Sequence, residues 1–333
     1  MISYPKENLH LHFDFGRHGT AGDAESLRSC IRRLNPGLVV LESAFTDEQA
    51  RKPLIAELNG KIDKARKTET GKRLLAEEMF KYAGIFEWPD FSRAVLDIIL
   101  SERALRVHVV ESCPDNDSLG EMWTLPFLLN GPSQAVKALF EGDAGRALEL
   151  SLKCFREIND AILVKRNAQV VEGFGRLPAE IPELHPSLAS GPLSVVARYG
   201  VAHAGILDHL RESGFDVSVG EIPDLDHSSE LAVNYSMKPS MHFTAEDARR
   251  ILFDYAYGMA FSEISADTSE DAHESRAVLR SLGGGEGFIS AALAISRESS
   301  SLEDFTGRLA ALFREKKDLY SRGAPVMADV TMR

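Results

Sequence analysis

The chain has 333 residues, of which 44% are hydrophobic and 26% are charged, and these values indicate a globular protein with one large domain or two ordinary ones. The formal net charge of −12 disfavours nucleic acids and anionic membranes as partners, because both require a clustered basic face. The three cysteines are far apart in sequence, so neither a disulfide framework nor a CxxC metal site is expected. We find no signal-peptide pattern and no apolar run of membrane-spanning length, and we therefore expect a cytoplasmic protein.

Clusters of β-branched and aliphatic residues predict four strands. In chain order they are LHLHFDFG at 9–16, GLVVLES at 37–43, RVHVVES at 106–112 and PLSVVARYG at 192–200. The first segment alternates polar and apolar residues, so it is predicted to be exposed on one face or to lie at a sheet edge. The other three are typical of buried strands.

Helical patterns separate and follow these strands, at 24–34, 47–82, 90–104 and 133–174, the last with a break near Gly142 and Gly145. This alternation predicts an α/β fold with a mostly parallel sheet flanked by long helices. From residue 226 onward the sequence predicts a polar loop with at most one short strand, and then further helices. The glycine-rich GGGEG at 283–287 is predicted to end a helix and form a turn. We therefore expect an α/β domain at 1–225 and a helical C-terminal region at 226–333.

Several chemically versatile residues follow the ends of the predicted strands, where ligands bind in open parallel sheets. The first strand leads to His18, the second ends in Glu42, the third ends in Glu111, and the last passes Tyr199 and reaches His203. Two imidazoles and two carboxylates at one edge can bind a divalent metal ion or exchange a proton during hydrolysis. Each residue also has a structural interpretation, as a solvated carboxylate at a strand end or as a histidine bonded within a turn.

A buried arginine is predicted within the helical run DAILVKRNAQVV. Helical spacing places Ile162, Arg166 and Val170 along one stripe, which should face the sheet. Burying a guanidinium without a partner costs several kcal/mol, so Arg166 requires a carboxylate. Glu42 or Glu111 is the expected partner.

Three segments in a fixed order resemble a known superfamily. They are FGRHGTAGDAESLRSCIRRLNPGLVVLES, KRNAQVVEGF and VVARYGVAHAGILDHL. Together, over about residues 10–220, they resemble the superfamily that joins erythromycin esterases, ChaN-like proteins and the TraB/GumN/Tiki group. The resemblance implies a functional set of His18, Glu42, Arg166 and His203. Gly-Arg-His followed by Gly-Thr is similar to the esterase branch, whereas Gly-x-x-His at 200–203 is similar to the TraB and Tiki branch, so the chain matches neither branch cleanly.

Two functions follow from these residues. The first is hydrolysis of an ester or peptide bond, in which His18 or Glu42 activates water, and Arg166 with His203 stabilises the developing oxyanion. A metal ion, Mn or Zn, would be held by His18, Glu42 and His203 if the reaction uses one. Gly16 and Gly19 would allow close backbone approach beside His18.

The second function is a binding or sensing module that holds an anionic small molecule in the same cleft and performs no chemistry. In either case Arg17, Glu111 and Tyr199 are the expected substrate-binding residues. A nicotinamide cofactor is not expected, because no Gly-x-Gly-x-x-Gly follows a strand. The expected partner is a small-molecule or peptide substrate, and the sequence leaves the substrate, the metal ion and the oligomeric state open.

Overall fold

The computed structural model describes residues 3–16, 21–42, 48–78, 89–102, 104–111, 126–222, 225, 227–261 and 271–321. The chain divides into two compact units, one of Met1–Met122 with Val164–Pro223 and the other of Trp123–Leu163 with Asp224–Arg333. This division differs from the sequence-based one at 225/226, because the helices between 126 and 163 join the C-terminal helices. The physical reason is their apolar face, whose Ala135 and Leu139 pack in one core with Phe253 and Phe288.

The first unit contains a sheet of five parallel strands in the order β3-β2-β4-β1-β5, which confirms the predicted α/β fold. The strands are β1 Leu9–Gly16, β2 Leu38–Leu41, β3 Arg106–His108, β4 Leu193–Gly200 and β5 Asp216–Val219. The prediction of an exposed or edge position for β1 is wrong. β1 lies between β4 and β5, and every residue of it except His10 is buried.

Thirteen α-helices are present in the described residues. They are α1 Ala21–Leu34, α2 Glu48–Ala65, α3 Glu69–Glu78, α4 Pro89–Ser101, α5 Pro126–Phe140, α6 Ala144–Asn159, α7 Lys165–Leu184, α8 Ile206–Glu212, α9 His227–Met237, α10 Ala245–Phe261, α11 Asp271–Ser281, α12 Gly284–Glu298 and α13 Leu302–Ser321. The single helix predicted at 47–82 is therefore interrupted, and the loop predicted after residue 226 contains α9. The GGGEG run lies mostly inside α12, and Gly283 and Gly284, at φ +86° and +79°, make the turn that begins it.

The two faces of the sheet have different coverings. Alternation along β1 and β4 places Phe13 and Tyr199 on one face, where they pack against Phe174 of α7. The opposite face carries Val39 and Val196, which pack with residues of α1 and α4. Each face is thereby closed by helices, as a parallel sheet requires.

Gly173 of α7 allows this helix to approach the segment that follows β3. A Cβ at this position would lie 2.2 Å from the backbone oxygen of Val110, whereas a Cβ at Gly175 of the same helix would meet nothing within 4 Å. Gly173→Ala should therefore lower the free energy of unfolding by about 1–3 kcal/mol through overpacking. Gly175→Ala should raise it by about 0.5–1 kcal/mol, because alanine favours the helix. Urea unfolding of the two variants measures both changes. Equal changes in the free energy of unfolding would show that α7 does not depend on the contact at Gly173.

The second unit is helical throughout its described part. Its core combines aliphatic and aromatic side chains, and Phe253 contacts Tyr257, Phe288 and Phe313 at ring-centroid distances of 5.3–5.7 Å. No single helix among the described residues is long and apolar enough to cross a membrane. One bent pair, 274–281 with 284–298 at 74°, reaches the necessary length and composition.

Candidate active site

The carboxyl ends of β2 and β4 bring a glutamate to the mouth of the sheet. Val40 pairs with Ala197, so Glu42, two residues further on, lies beside Tyr199 on the face covered by α7. The backbone N–H of Gly200 donates to Glu42 Oε2 at 2.6 Å. This bond orients the carboxylate and leaves Oε1 directed at other groups.

Arg166 lies between two carboxylates at this edge. Its Nη2 is 2.6 Å from Glu42 Oε1, and its Nε donates to Glu111 Oε2 at 2.6 Å. The arginine side chain is 12% exposed, so it reaches solvent over only a small area. Arg166 is the second residue after the π-helical turn Asp160–Val164, a local distortion that often accompanies functional sites. The sequence predicted either glutamate as its partner, and the structure pairs it with both.

His203 joins the same group through the short helix that follows β4. Its Nε2 is 3.3 Å from Glu42 Oε1, and its Nδ1 lies 2.6 Å from Asn167 Oδ1. An amide oxygen only accepts, so the Nδ1 of His203 carries the proton in this bond. The imidazole is thus held with Nε2 toward Glu42.

Burial and neighbouring charge set the proton affinities of this cluster. Burial raises the pKa of Glu111, Arg166 opposes this increase, and Glu42 adds to it. Burial alone would lower the pKa of Arg166, but the two carboxylates outweigh it and raise that pKa. The pKa of Tyr199 is raised well above its usual value, first by burial and then by the charges of Glu111 and Glu42. At neutral pH, Arg166 and Tyr199 therefore keep their protons, and Glu111 holds its proton to a higher pH than an exposed glutamate.

Three buried donor atoms of this cluster make no hydrogen bond to a described residue. They are the Tyr199 hydroxyl, Asn167 Nδ2 and Arg166 Nη2. The contact between Nη2 and Glu42 is close enough for an ion pair but lacks hydrogen-bond geometry. Glu111 approaches the Tyr199 hydroxyl closely enough to raise its pKa through both its charge and a side-chain contact, but the contact falls short of good hydrogen-bond geometry. Because an unmet buried donor costs free energy, these atoms favour a ligand that brings an oxygen acceptor.

The structure brings together five of the residues predicted from sequence. They are Glu42, Glu111, Arg166, Tyr199 and His203, whereas His18 and Arg17 lie outside the described residues, as does Gly19. Asn167 was not among the predicted site residues. The available signal was the Arg-Asn pair of KRNAQVVEGF, a segment on which the resemblance to the superfamily rests.

The described part of the proposed metal set does not suit a divalent ion. No group of three His, Cys, Asp or Glu side chains within the described ranges is placed to hold a metal ion. Glu42 Oε1 already faces the guanidinium of Arg166, and Oε2 accepts the N–H of Gly200. A metal ion at Glu42 would have to displace these partners and lie beside the positive charge of Arg166.

Gly16 lies beside a buried ion pair, and its predicted role next to His18 falls outside the described residues. Arg198 pairs with Asp14 and Asp23 at 2.6 Å each on the face of the sheet covered by α1. A Cβ on Gly16 would lie 1.7 Å from Arg198 Nη2. The glycine therefore makes room for this buried ion pair.

A second buried ionic network holds the segment that carries Glu111. Arg51 of α2 donates to the backbone oxygen of Val109 and pairs with Glu180 of α7. His108 of β3 bonds to Glu180 through Nε2 at 3.1 Å and to His185 through Nδ1 at 3.1 Å. Burial raises the pKa of Glu180, but bonds from Arg51 and His108 outweigh it and leave that pKa lowered. The network links α2, α7 and β3. It bonds to His108 and Val109, which precede Glu111 by three and two residues.

Comparisons with known proteins return nothing for this chain: no protein-family model, no curated protein and no solved structure matches it. The resemblance to the esterase, ChaN-like and TraB superfamily stays a prediction that rests on the three sequence segments.

Proposed function

We propose that the protein is a hydrolase that cleaves an ester or peptide bond in a small-molecule or peptide substrate, and that it does so without a metal ion at Glu42. The observation that carries the proposal is the position of Arg166 between Glu42 and Glu111, with His203 on the same Glu42 oxygen. Two carboxylates in different environments are a common basis for acid–base catalysis.

The two glutamates differ in a way that suits opposite roles. Glu42 is 14% exposed, receives the N–H of Gly200 and faces the guanidinium of Arg166, so its charged form is well stabilised. Burial raises the pKa of Glu111, which favours its protonated form. We assign Glu42, with His203 Nε2 beside it, to accept a proton from the attacking water. Glu111 then donates a proton to the leaving group.

The unpartnered donors suit the oxygen on which negative charge develops. When water attacks a carbonyl carbon, the carbonyl oxygen becomes an oxyanion that requires donors. Tyr199 and Asn167 each hold a buried donor atom with no described partner, and Arg166 adds a positive charge. The neutral hydroxyl of Tyr199 donates without adding a charge of its own. These donors gain a hydrogen-bond acceptor when the oxyanion forms.

The alternative function, binding an anionic small molecule without chemistry, has weaker support. Arg166 is the cation that would attract such a ligand, and its charge is already shared by two carboxylates. An anion would replace a favourable pairing and meet the negative charge of Glu42. A neutral ester or amide carbonyl meets no such repulsion.

The compartment proposed for this enzyme is the reducing cytoplasm. Cys30 and Cys154, the two cysteines in the described ranges, are buried free thiols. Burial raises the pKa of the Cys30 thiol to about 11, which keeps it protonated and unreactive. Neither thiol therefore has a role in the proposed reaction.

The substitution Tyr199→Phe separates catalysis from folding. The hydroxyl makes no hydrogen bond of good geometry to a described residue, and its contact with Glu111 is a distorted one, so its removal should change the free energy of unfolding little. If the hydroxyl donates to the oxyanion, kcat should fall by about 10²–10³-fold. The assay is hydrolysis of a panel of esters and peptides, with and without EDTA, and EDTA should have no effect.

The matched control is Tyr235→Phe in the helical unit, where the hydroxyl donates to Asp160 at 2.8 Å. This variant should have a lower free energy of unfolding and the kcat of the wild type. Equal rates for the Tyr199 variant and the wild type would remove the tyrosine from the mechanism, and complete loss of hydrolysis in EDTA would contradict the metal-independent reaction.

A further inference from the structure

A serine on the edge strand β5 stands in a chain of hydrogen bonds with two histidines and an aspartate. Asp216 Oδ2 lies 2.7 Å from His10 Nδ1, and His10 Nε2 lies 3.0 Å from Ser218 Oγ. Ser218 Oγ lies 2.8 Å from His12 Nδ1. The register of β1 and β5 produces this arrangement, because His10 pairs with Asp216 and His12 with Ser218 on one face of the sheet.

The chemistry of the partners fixes a direction for the hydrogen bonds. A carboxylate only accepts, so His10 Nδ1 donates to Asp216 and the neutral His10 ring accepts through Nε2. Ser218 has one proton, and it points at His10 Nε2. His12 Nδ1 must then donate to Ser218 Oγ, while His12 Nε2 faces a donor, Arg33 Nη2, at 3.4 Å. Every hydrogen bond of the chain is satisfied with both rings neutral.

This order of atoms is the one used to activate a serine for acyl transfer. We propose that Ser218 is a nucleophile, with His10 as its general base and Asp216 as the group that orients His10, and that it reacts with carboxylic esters. His12 donates to the serine oxygen and stabilises the negative charge that develops there as the proton leaves. The site lies on the opposite face of the sheet from Glu42 and does not depend on the function proposed for that residue.

The site is open to a substrate. The side chains of His10 and Asp216 are 37% and 70% exposed, and Ser218 is half-buried. The N–H of Gly220 donates to Phe13 of β1, so alternation directs the N–H of Val219 to the other side of β5. No described strand pairs with β5 on that side. The residue after the nucleophile therefore offers a backbone donor that the described sheet does not use.

The proposed reaction is balanced by groups that are present. Ser218 Oγ forms a bond to the ester carbonyl carbon, its proton passes to His10 Nε2, and the carbonyl π electrons move to the oxygen. When the oxyanion collapses, the bond to the leaving alcohol breaks, and that alcohol takes the proton from His10. Water then attacks the acyl-serine in the same way, which releases the acid and returns the proton to Ser218.

The test uses a biotinylated alkyl fluorophosphonate, which forms an Oγ–P bond with an activated serine and releases fluoride. Fragment-ion sequencing of the tryptic peptide that follows Arg211, which contains both serines, should show the label on Ser218 at a rate at least about 10²-fold above that of Ser213. Ser213 is a suitable comparison, because it is exposed and its hydroxyl donates to the backbone oxygen of His209 instead of to a base. Because the label is read at Ser218 itself, hydrolysis at the Glu42 cluster does not enter the result.

Two variants complete the test, with circular dichroism to check that each is folded. His10→Ala should reduce labelling of Ser218 by at least about 10²-fold, and Asp216→Asn should reduce it because His10 loses its orienting carboxylate. Labelling of Ser218 no faster than Ser213 would overturn the proposal. Labelling that persists unchanged in folded His10→Ala would overturn it as well.

Discussion

Replacing Arg166 with methionine should lower the free energy of unfolding by about 3–5 kcal/mol at pH 7, the cost of leaving a buried charge without its partner. Arg166 contacts Glu42 and Glu111, both at 2.6 Å, and Glu111 is buried. Without the guanidinium, the two carboxyl groups remain close together with no cation between them. Urea unfolding at a series of pH values measures the effect.

The pH dependence of this variant has a defined sign. Burial and Glu42 raise the folded-state pKa of Glu111, and removing Arg166 takes away the group that opposes the increase. A carboxyl whose pKa is higher in the folded state than in the unfolded state destabilises the fold at pH values above its folded-state pKa. The loss in Arg166→Met should therefore shrink as the pH falls through that pKa and Glu111 takes up a proton.

The control for this experiment is Arg211→Met. Arg211 pairs with Asp208 on the surface of α8, and its side chain is 45% exposed. Its replacement should change stability by no more than about 0.5 kcal/mol. A similarly small change in Arg166→Met would mean that the buried ion pairs contribute little to folding.

The sequence predicted the central strands well because their residues carry a strong local signal. β2 and β4 are runs of β-branched and aliphatic residues, and both lie where they were predicted. β5 was missed because Asp216 and Ser218 interrupt its apolar pattern and the strand has only four residues. Its formation depends on pairing with β1, a contact between residues 206 positions apart.

Helix α9 was missed for a related reason. The sequence HSSELAVNYSM contains several residues that favour turns over helices. Its start is capped by another helix, because the N–H of Ser228 donates to Asp254 of α10, and Ala232 and Tyr235 are buried. Such tertiary support overrides local propensity and has no local signature.

The candidate site was predictable in part. The positions of the strand ends and the helical spacing of one stripe were enough to predict that Glu42, Glu111, Arg166 and His203 lie close together. Asn167 was not predicted, since its role depends on the rotation of α7 that directs it to His203. The chain of His10, Ser218 and Asp216 was also missed, because it requires the register of two strands distant in sequence. The proposed role of His18 stays a prediction, because this residue lies outside the described ranges.

The largest effect on activity is expected from Glu42→Gln. Glutamine keeps the size of the side chain and an oxygen for the N–H of Gly200, but it cannot accept the proton of the attacking water. Arg166 retains Glu111, so the variant should fold. The loss of a positioned base should reduce kcat/KM by at least about 10²-fold.

The direct test of the central claim is kcat/KM for Glu42→Gln, the wild type and Glu212→Gln on one ester or peptide that the wild type hydrolyses. Glu212 is a matched glutamate on α8 with a side chain 77% exposed, and its replacement should leave the rate unchanged. The account predicts a loss of at least about 10²-fold in Glu42→Gln alone, with the fold retained. A folded Glu42→Gln protein with the wild-type kcat/KM would contradict it.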